Sequence, residues 1–279
     1  MSVALCLLAY TVVVVVLAPP TLLRATRSGG RPRLALAAWL GAVGSVAVSW
    51  ALAVGLTVVD VARDLFADRH LNLGRCFVQL HDSVTGRYGA VIQIGVLVLG
   101  VLALLASTVV AGRLGRSLAR ARSATHRHAR AARMVGRRHA HHDVVVLDHP
   151  EPAAYSVAGN PHTIVLTRGI VAALDEDQLA AVMAHERAHL SGRHHVLLAV
   201  TRALAGVFPR TDLFVTGAAQ VARLVEMIAD DAAAEIHGPA AVREALVLLA
   251  GSRSAGPAAT AGVALADRVR RLSPPVRDR

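Results

Sequence analysis

Three long stretches without a charged side chain restrict the fold of this chain more than any other feature. They cover residues 3–18, 34–59 and 91–111. A membrane-spanning helix needs about 20 mostly apolar residues, and a backbone inside lipid must satisfy its own hydrogen bonds. We therefore predict three N-terminal transmembrane helices. A cleaved signal peptide is the alternative for the short first run, but no basic residue precedes that run and no clear small-x-small cleavage site follows it.

The charges beside these runs predict their orientation. The segment between the first two runs carries four arginines and no acid: Arg24, Arg27, Arg31 and Arg33. The segment between the second and third runs balances arginines against aspartates, and a further cluster of arginines follows the third run. The positive-inside rule places the first and last of these segments in the cytoplasm. We expect a multi-pass protein of the cell membrane, with its N-terminus outside and everything after residue 112 inside.

The net charge of +11 comes from arginine alone, and most of these arginines lie beside apolar runs. This distribution favours a role in topology over direct binding of nucleic acid. We interpret residues 112–142 as a solvated juxtamembrane segment held near anionic lipids. A metal-binding cluster without strict spacing is the open alternative, formed by His126, His128, His139, His141 and His142. The two cysteines, Cys6 and Cys76, are too few for a zinc–thiolate cluster, and we interpret them as structural.

The five residues from 185 to 189 read H-E-x-x-H. Asp175 and Gln178 form the pattern of a capping box, and Gly192 is a stop signal, so the motif is predicted to lie on a helix. His185 and His189 then share one face and can reach one metal ion, while Glu186 lies beside its open position. This arrangement predicts a zinc site in which Glu186 is the general base of a peptide hydrolase.

A second predicted helix, from residue 211 or 212 to Gly238-Pro239, supplies more carboxylates. Glu226 lies in an apolar stretch, which favours a buried metal ligand over an exposed pair with Arg223. Asp230 follows four residues later and would accept the far N–H of a ligand histidine. Asp231 and Glu235 point elsewhere and are expected to be solvated. His194, His195 and Arg223 are candidate oxyanion donors, although a polar turn between helices explains the two histidines equally well.

Two short strands are predicted before the motif helix, at 153–157 and 163–167, after a first one at 143–147. Tyr155 and Asn160 are near them and could touch substrate, but turn and packing roles are favoured. Residues 195–208 are apolar except for Arg202 and are short for a membrane span. The predicted fold class is α+β and predominantly helical. We divide the chain into a transmembrane region (1–111), a juxtamembrane segment (112–142), a metalloprotease domain with a small sheet (143–240) and a partly disordered helical tail (241–279).

Residues 154–159, 164–169, 185–189 and 226–230 together resemble the membrane metallopeptidases of the β-lactam sensor-transducer (BlaR/MecR) family, and the run 268–272 fits as well. The resemblance implies a gluzincin-like domain with His185, His189 and Glu226 as zinc ligands and Glu186 as base. It also implies a signalling task, the cleavage of a small DNA-binding repressor. No S-x-x-K and no later apolar run follow the motifs, so the resemblance is to a short form without the penicillin-binding sensor domain.

Three functions remain open at this stage. A regulatory endopeptidase with one zinc ion per chain, acting on a protein or peptide substrate at the lipid bilayer, is favoured. Heat-shock and CAAX-type membrane proteases share H-E-x-x-H and a downstream E-x-x-x-D, so a housekeeping role in membrane-protein quality control is the first alternative. A catalytically idle transducer that uses zinc only for stability is the second. The Gly-rich apolar runs also permit a homodimer.

Overall fold

The computed structural model describes residues 2–27, 29–66, 89–138, 143–159, 161–252 and 259–273. Several residues singled out above lie outside these ranges or have side chains outside the description. They are Cys76, Asn160, His128, His139, His141 and His142, together with 253–258 and 274–279 of the predicted tail. Within the described ranges, the chain is predominantly helical with one small mixed sheet, which confirms the predicted fold class.

Three N-terminal helices are long and apolar enough to cross a membrane. They are α1 (Ser2–Thr26), α2 (Pro32–Phe66) and α3 (Gly89–Val135), with candidate spans Val3–Thr26, Pro32–Val59 and Gly100–Arg127. The first helix continues through Pro19 and Pro20, where the sequence predicted its end, so that its span is long enough for a bilayer. Large apolar side chains such as Val12, Leu17 and Leu105 are exposed on these helices. Such surfaces are stable in lipid and not in water.

The sheet has the strand order β1-β2-β4-β3. Its strands are β1 (Arg137–Arg138), β2 (Val144–Leu147), β3 (Ala154–Val157) and β4 (Thr163–Thr167). β2 and β4 are parallel, whereas β3 and β4 form an antiparallel hairpin. The three strands longer than two residues match the predicted runs, because each is short and bounded by turn residues, and β2 and β4 are rich in β-branched residues. Within the part of the chain that the structure describes, β3 pairs with β4 alone and is an edge strand.

Five helices complete the described chain: α4 (Arg168–Ala173), α5 (Glu176–Ser191), α6 (His194–Val207), α7 (Asp212–Ser252) and α8 (Ala259–Arg271). The helical geometry of α7 is interrupted at Gly238, where the sequence predicted an end, and it resumes after Pro239. Helix α5 lies between the sheet and α7. Its buried Ala181 and Ala184 keep this packing close.

The first half of α7 packs against the membrane helices rather than against the sheet. Trp39 of α2 is fully buried, and Leu213 and Val221 of α7 belong to the same apolar cluster. A Cβ on Gly217 would lie 3.4 Å from the Trp39 ring, so the small residue allows the two helices to approach closely. At the other end of this contact, Gly29 in the turn between α1 and α2 lies against Met227. Helix α7 therefore connects the membrane bundle to the sheet.

Gly169, at the start of α4, gives a direct test of the packing around the sheet. A Cβ there would lie 2.1 Å from the carbonyl oxygen of Pro150, which is backbone and cannot rotate away. We expect Gly169→Ala to lower the free energy of unfolding by about 1–3 kcal/mol or more, because overpacking a close contact usually costs this much. Gly206→Ala is the control, since nothing lies within 4 Å of its Cβ position. Urea unfolding of both variants in detergent checks this, and equal midpoints would contradict the described contact.

Candidate active site and metal centre

Helix α5 carries the H-E-x-x-H motif and is fixed at both ends. The Asp175 carboxylate accepts a hydrogen bond from the Gln178 N–H (2.8 Å), and the Gln178 side chain accepts one from the Asp175 N–H (3.2 Å). This is the predicted capping box, and Gly192 is the predicted C-cap. A Cβ on Gly192 would lie 2.4 Å from Nε2 of His194. Glycine at the end of α5 therefore leaves room for the His194 ring beneath the motif.

Two imidazoles and one carboxylate converge between α5 and α7. The Nε2 atoms of His185 and His189 are 3.1 Å apart, and the Glu226 carboxylate oxygens lie 3.6 and 3.5 Å from them. Among the described residues this is the group whose ligand atoms could hold a metal ion, all within 4.8 Å of one another. Ligands about 2.0–2.1 Å from a tetrahedral ion are about 3.3–3.5 Å apart. The three side chains therefore fit a metal ion without rearrangement.

Both imidazoles are oriented by a second partner on the side away from the proposed ion. Nδ1 of His185 lies 3.0 Å from Oδ1 of the buried Asp230, and Nδ1 of His189 lies 2.9 Å from Nδ1 of the buried His194. Because a carboxylate only accepts, the proton of a neutral His185 is on Nδ1 and its Nε2 lone pair is available for a metal ion. The structure thus brings Asp230 to the place that the sequence predicted for it.

The charges of these groups are strongly coupled. Burial lowers the pKa of His185, but hydrogen bonds to Asp230 and Glu226 outweigh this and raise the pKa to about 9. Burial lowers the pKa of His189 and of His194 to about 4. Burial raises the pKa of Glu226, yet the hydrogen bond to His185 and the charge of Arg268 bring the pKa down to about 2. At neutral pH, an arriving metal ion therefore meets a neutral His189, an ionised Glu226 and a proton on His185 that it must displace.

Glu186 lies next to the ligand group, on the side of the edge strand. Its side chain is buried and hydrogen-bonds to Ser156 of β3. Burial raises the pKa of Glu186, although the charge of His185 and the bonds to Ser156 act in the opposite direction. A carboxylate with a raised pKa binds a proton more readily at neutral pH, which suits a group that must accept and return one.

A cavity of about 360 Å³ opens in front of these groups and is called the active-site cavity here. Strand β3 contributes Tyr155 and Ser156 to its wall, and α5 contributes His185 and Glu186. His195 lies on its rim, between this cavity and a second groove of about 400 Å³ beside α3. The volume of the active-site cavity lies within the usual range of ligand pockets, about 300–1,000 Å³, so the cavity can admit a ligand to the group formed by His185, His189 and Glu226.

Three sequence-based expectations differ from the structure. Arg223 does not line the cavity; it donates to Gln220 and to Asp267, each at 3.4 Å. Asp231 is not simply solvated, because it accepts two hydrogen bonds from Arg271. Of the candidate oxyanion donors, His195 faces the cavity, whereas His194 is turned towards His189. Local spacing could not show these differences, since each depends on which helix packs opposite.

Arg268 is a cavity residue that the site assignment missed. It lies on α8, and its guanidinium donates to both oxygens of Asp230 at 2.6 and 2.7 Å. Its Nη1 also lies 3.2 Å from Oε2 of Glu226. The only sequence signal was the arginine-rich run 268–272, which does not show the side of α8 that meets α7.

Comparison with known proteins identifies the family. The model of peptidase family M48 matches residues 118–268, more than half of the chain, including the motif helix, Glu226, Asp230 and Arg268. A protease HtpX homolog from Acidiphilium cryptum (strain JF-5) is 42 % identical over 65 residues, which are 23 % of this chain and 23 % of that protein. No solved structure matches the chain.

The expected H-E-x-x-H metallopeptidase is therefore confirmed at the level of the family. The narrower resemblance to BlaR/MecR receives no support from these matches. Three apolar helices long enough to span a bilayer precede or overlap the matched region. The chain belongs to peptidase family M48, and three of its described helices are long and apolar enough to span a membrane.

Proposed function

We propose that the chain is a membrane-anchored zinc endopeptidase that cleaves proteins at the cytoplasmic surface of the membrane. The observation that supports this most directly is the convergence of His185, His189 and Glu226, with Glu186 beside them in an open cavity. Two histidines and one carboxylate, with a fourth position open, are a typical ligand set for catalytic zinc. One ion per chain fits this group.

In this proposal His185, His189 and Glu226 hold the ion, and Glu186 moves the proton. Bound zinc would polarise the scissile carbonyl and acidify a water molecule. Glu186 accepts the proton of the attacking water and then delivers it to the nitrogen of the leaving amine. Ser156 fixes the Glu186 carboxylate at the wall formed by β3. His195 is the candidate oxyanion donor with the best position, because it lines the cavity.

The edge strand β3 supports an extended peptide as substrate. Among the described residues β3 pairs with no strand other than β4, so its other edge faces no strand. Ala154, Tyr155 and Ser156 of this strand line the active-site cavity. A segment that adds to this edge would run past Glu186 and the proposed zinc ion. Such pairing uses backbone groups. We therefore expect the enzyme to choose substrates by the flexibility of the segment more than by the identity of one side chain.

The contact between Gly29 and α7 supports a cytoplasmic active site. Gly29 is in the turn between α1 and α2, and a Cβ there would lie 3.4 Å from Sδ of Met227, the residue after Glu226. This proximity supports a site on the membrane side at which the α1–α2 turn would emerge. That turn is flanked by Arg24, Arg27, Arg31 and Arg33, which favour the cytoplasm.

Labelling of single cysteines in sealed vesicles tests this orientation. Cys6 and Cys76 are replaced by serine, and the exposed Ala172 of α4 is changed to cysteine. We expect an impermeant maleimide to label Ala172→Cys from the cytoplasmic side. A matched chain that keeps only Cys76 should be labelled from the opposite side, because the loop between the second and third apolar runs is predicted to be outside. Labelling of both from one side would contradict the topology.

Two kinds of biological substrate fit an endopeptidase of this kind: damaged membrane proteins and a DNA-binding repressor. The similarity to a protease HtpX homolog favours the housekeeping alternative, turnover of damaged or misfolded membrane proteins. Cleavage of a DNA-binding repressor depends on the resemblance to BlaR/MecR alone, and it stays a prediction. An idle transducer is disfavoured, because Glu186 and an open cavity are in place beside the ligand group.

Quantitative proteomics of cells with wild-type protein or Glu186→Gln distinguishes these functions. For quality control, we expect many membrane proteins to accumulate in the variant, with cleavage sites in flexible segments near the bilayer. Accumulation of one soluble regulator and its cleavage fragment would instead identify a signalling protease. Identical proteomes, together with no cleavage of an unfolded test protein by the purified chain and zinc, would overturn the endopeptidase proposal.

A further inference from the structure

The guanidinium of Arg268 contacts two carboxylates of the proposed metal centre. Nε and Nη2 form a two-pronged bond to Asp230, and Nη1 lies 3.2 Å from Oε2 of Glu226. The Arg268 side chain is mostly buried, with 16 % of its surface exposed. Among the described residues that line the active-site cavity, it is the only arginine. Such a buried, planar fork fixes the plane of its partner far better than a lysine could.

Each of these two contacts affects a proposed zinc ligand: Asp230 contacts His185, and Glu226 is itself a ligand. Oδ1 of Asp230 accepts from Arg268 and also lies 3.0 Å from Nδ1 of His185. The orientation of the Asp230 carboxylate therefore sets the direction of the His185 ring. In Glu226, Arg268 holds Oε2 and leaves Oε1 turned towards Nε2 of His189 at 3.5 Å. One side chain on α8 thus orients two ligands that come from α5 and α7.

We propose that Arg268 is a positioning residue that holds Glu226 and Asp230 in the orientation that metal binding requires. Helix α8 is then a part of the metal centre, although it supplies no ligand. This inference rests on the proposed zinc peptidase function. It predicts that zinc affinity depends on the two-pronged geometry of Arg268 and not merely on its charge.

The effect of charge alone has the opposite sign, which makes the inference testable. A fixed cation close to a divalent ion repels it, so removal of the charge alone would strengthen zinc binding. Loss of an outer partner that orients ligands typically weakens metal binding by about 10–100-fold. A positioning role therefore predicts weaker binding in Arg268→Gln and also in Arg268→Lys. A purely electrostatic role predicts tighter binding in the first variant and no change in the second.

The chain contains a matched control on the same two helices. Arg271 of α8 forms a two-pronged ion pair with Asp231 of α7, at 2.5 and 2.7 Å. Neither residue lines the active-site cavity. Arg271→Gln thus removes a similar ion pair between α7 and α8, together with a bond to the carbonyl oxygen of Met227, without touching a ligand side chain. It reports how much of any effect comes from looser docking of α8.

The experiment measures zinc binding to the full chain in lipid nanodiscs, by competition with a chromophoric chelator. We expect the dissociation constant to rise about 10–100-fold in Arg268→Gln and Arg268→Lys, and to stay unchanged in Arg271→Gln. The visible spectrum of the Co²⁺-loaded protein should change only in the Arg268 variants, because it reports ligand geometry. Arg268→Lys keeps the positive charge and most of the aliphatic part of the side chain. It therefore tests the inference even if Arg268→Gln does not fold.

Three results would overturn the inference. Unchanged or tighter zinc binding in both Arg268 variants would leave Arg268 without a positioning role. Tighter binding in Arg268→Gln with an unchanged Arg268→Lys would show an effect of charge. Equal weakening in Arg271→Gln would assign the effect to docking of α8. Failure of the wild-type chain to bind zinc is a different outcome, since it would contradict the proposed function itself.

Discussion

Glu186→Gln should lower the rate of peptide-bond cleavage by about 10²–10⁴-fold, the usual contribution of a general acid–base group. Glutamine keeps the size and the hydrogen-bonding capacity of the side chain beside Ser156, but it cannot accept the proton of the attacking water. Zinc affinity should change little, because Glu186 is outside the proposed ligand set. A fluorogenic peptide assay with the full chain in nanodiscs gives the rate, and chelator competition gives the affinity.

Glu176→Gln is the matched control for this experiment. Glu176 is on the same helix and is exposed in its first turn, away from the cavity. We expect wild-type rates from this variant, so that loss of a charge on α5 is separated from loss of the base. Cleavage at the wild-type rate by Glu186→Gln would show that another group takes the proton, and the assignment of Glu186 would have to be abandoned.

Loss of a ligand has the second large effect. Glu226→Ala should weaken zinc binding by more than about 100-fold, since even loss of an outer partner costs about 10–100-fold. Activity should be lost with the ion. At a free zinc concentration 100 times the wild-type dissociation constant, the ion stabilises the wild-type fold by about 2.7 kcal/mol. A variant that binds 100-fold more weakly would gain only about 0.4 kcal/mol.

The measurement is denaturant unfolding with and without zinc, alongside chelator competition. Glu235→Ala serves as control, because Glu235 is exposed on the same helix. It should keep the full stabilisation by zinc. If Glu226→Ala were stabilised by zinc as strongly as the control, the third ligand would be another residue.

Local patterns predicted most of the fold around the site. The helix of the motif, its capping box and the three longer strands follow from short-range signals that the structure retains. The spacing of His185 and His189 puts them on one face, and the apolar neighbours of Glu226 indicated that its face is buried. The structure brings all three together, while their roles as ligands stay predictions until a metal ion is measured.

Long-range packing explains what the sequence could not predict. Arg268 meets Asp230 across 38 positions of the chain, and no local pattern shows which side of α8 faces α7. For the same reason, the sequence could not show that Arg223 contacts Asp267 and does not line the cavity. The parallel pairing of β2 with β4 is also a contact between segments that are distant in sequence. Periodicity identifies elements, but their neighbours depend on tertiary packing.

The contact of Met227 with the α1–α2 turn has a geometric consequence for substrates. Glu226 precedes Met227 on a helix whose earlier turns pack against Trp39 of the membrane bundle. Since a helix is stiff and rises about 1.5 Å per residue, α7 would hold the site at a constant height relative to the α1–α2 turn, and so relative to the bilayer in the proposed topology. The protein would therefore select cleavage sites by their distance from the membrane. Among otherwise equal flexible segments, it would cut those whose distance from their own membrane anchor matches this height.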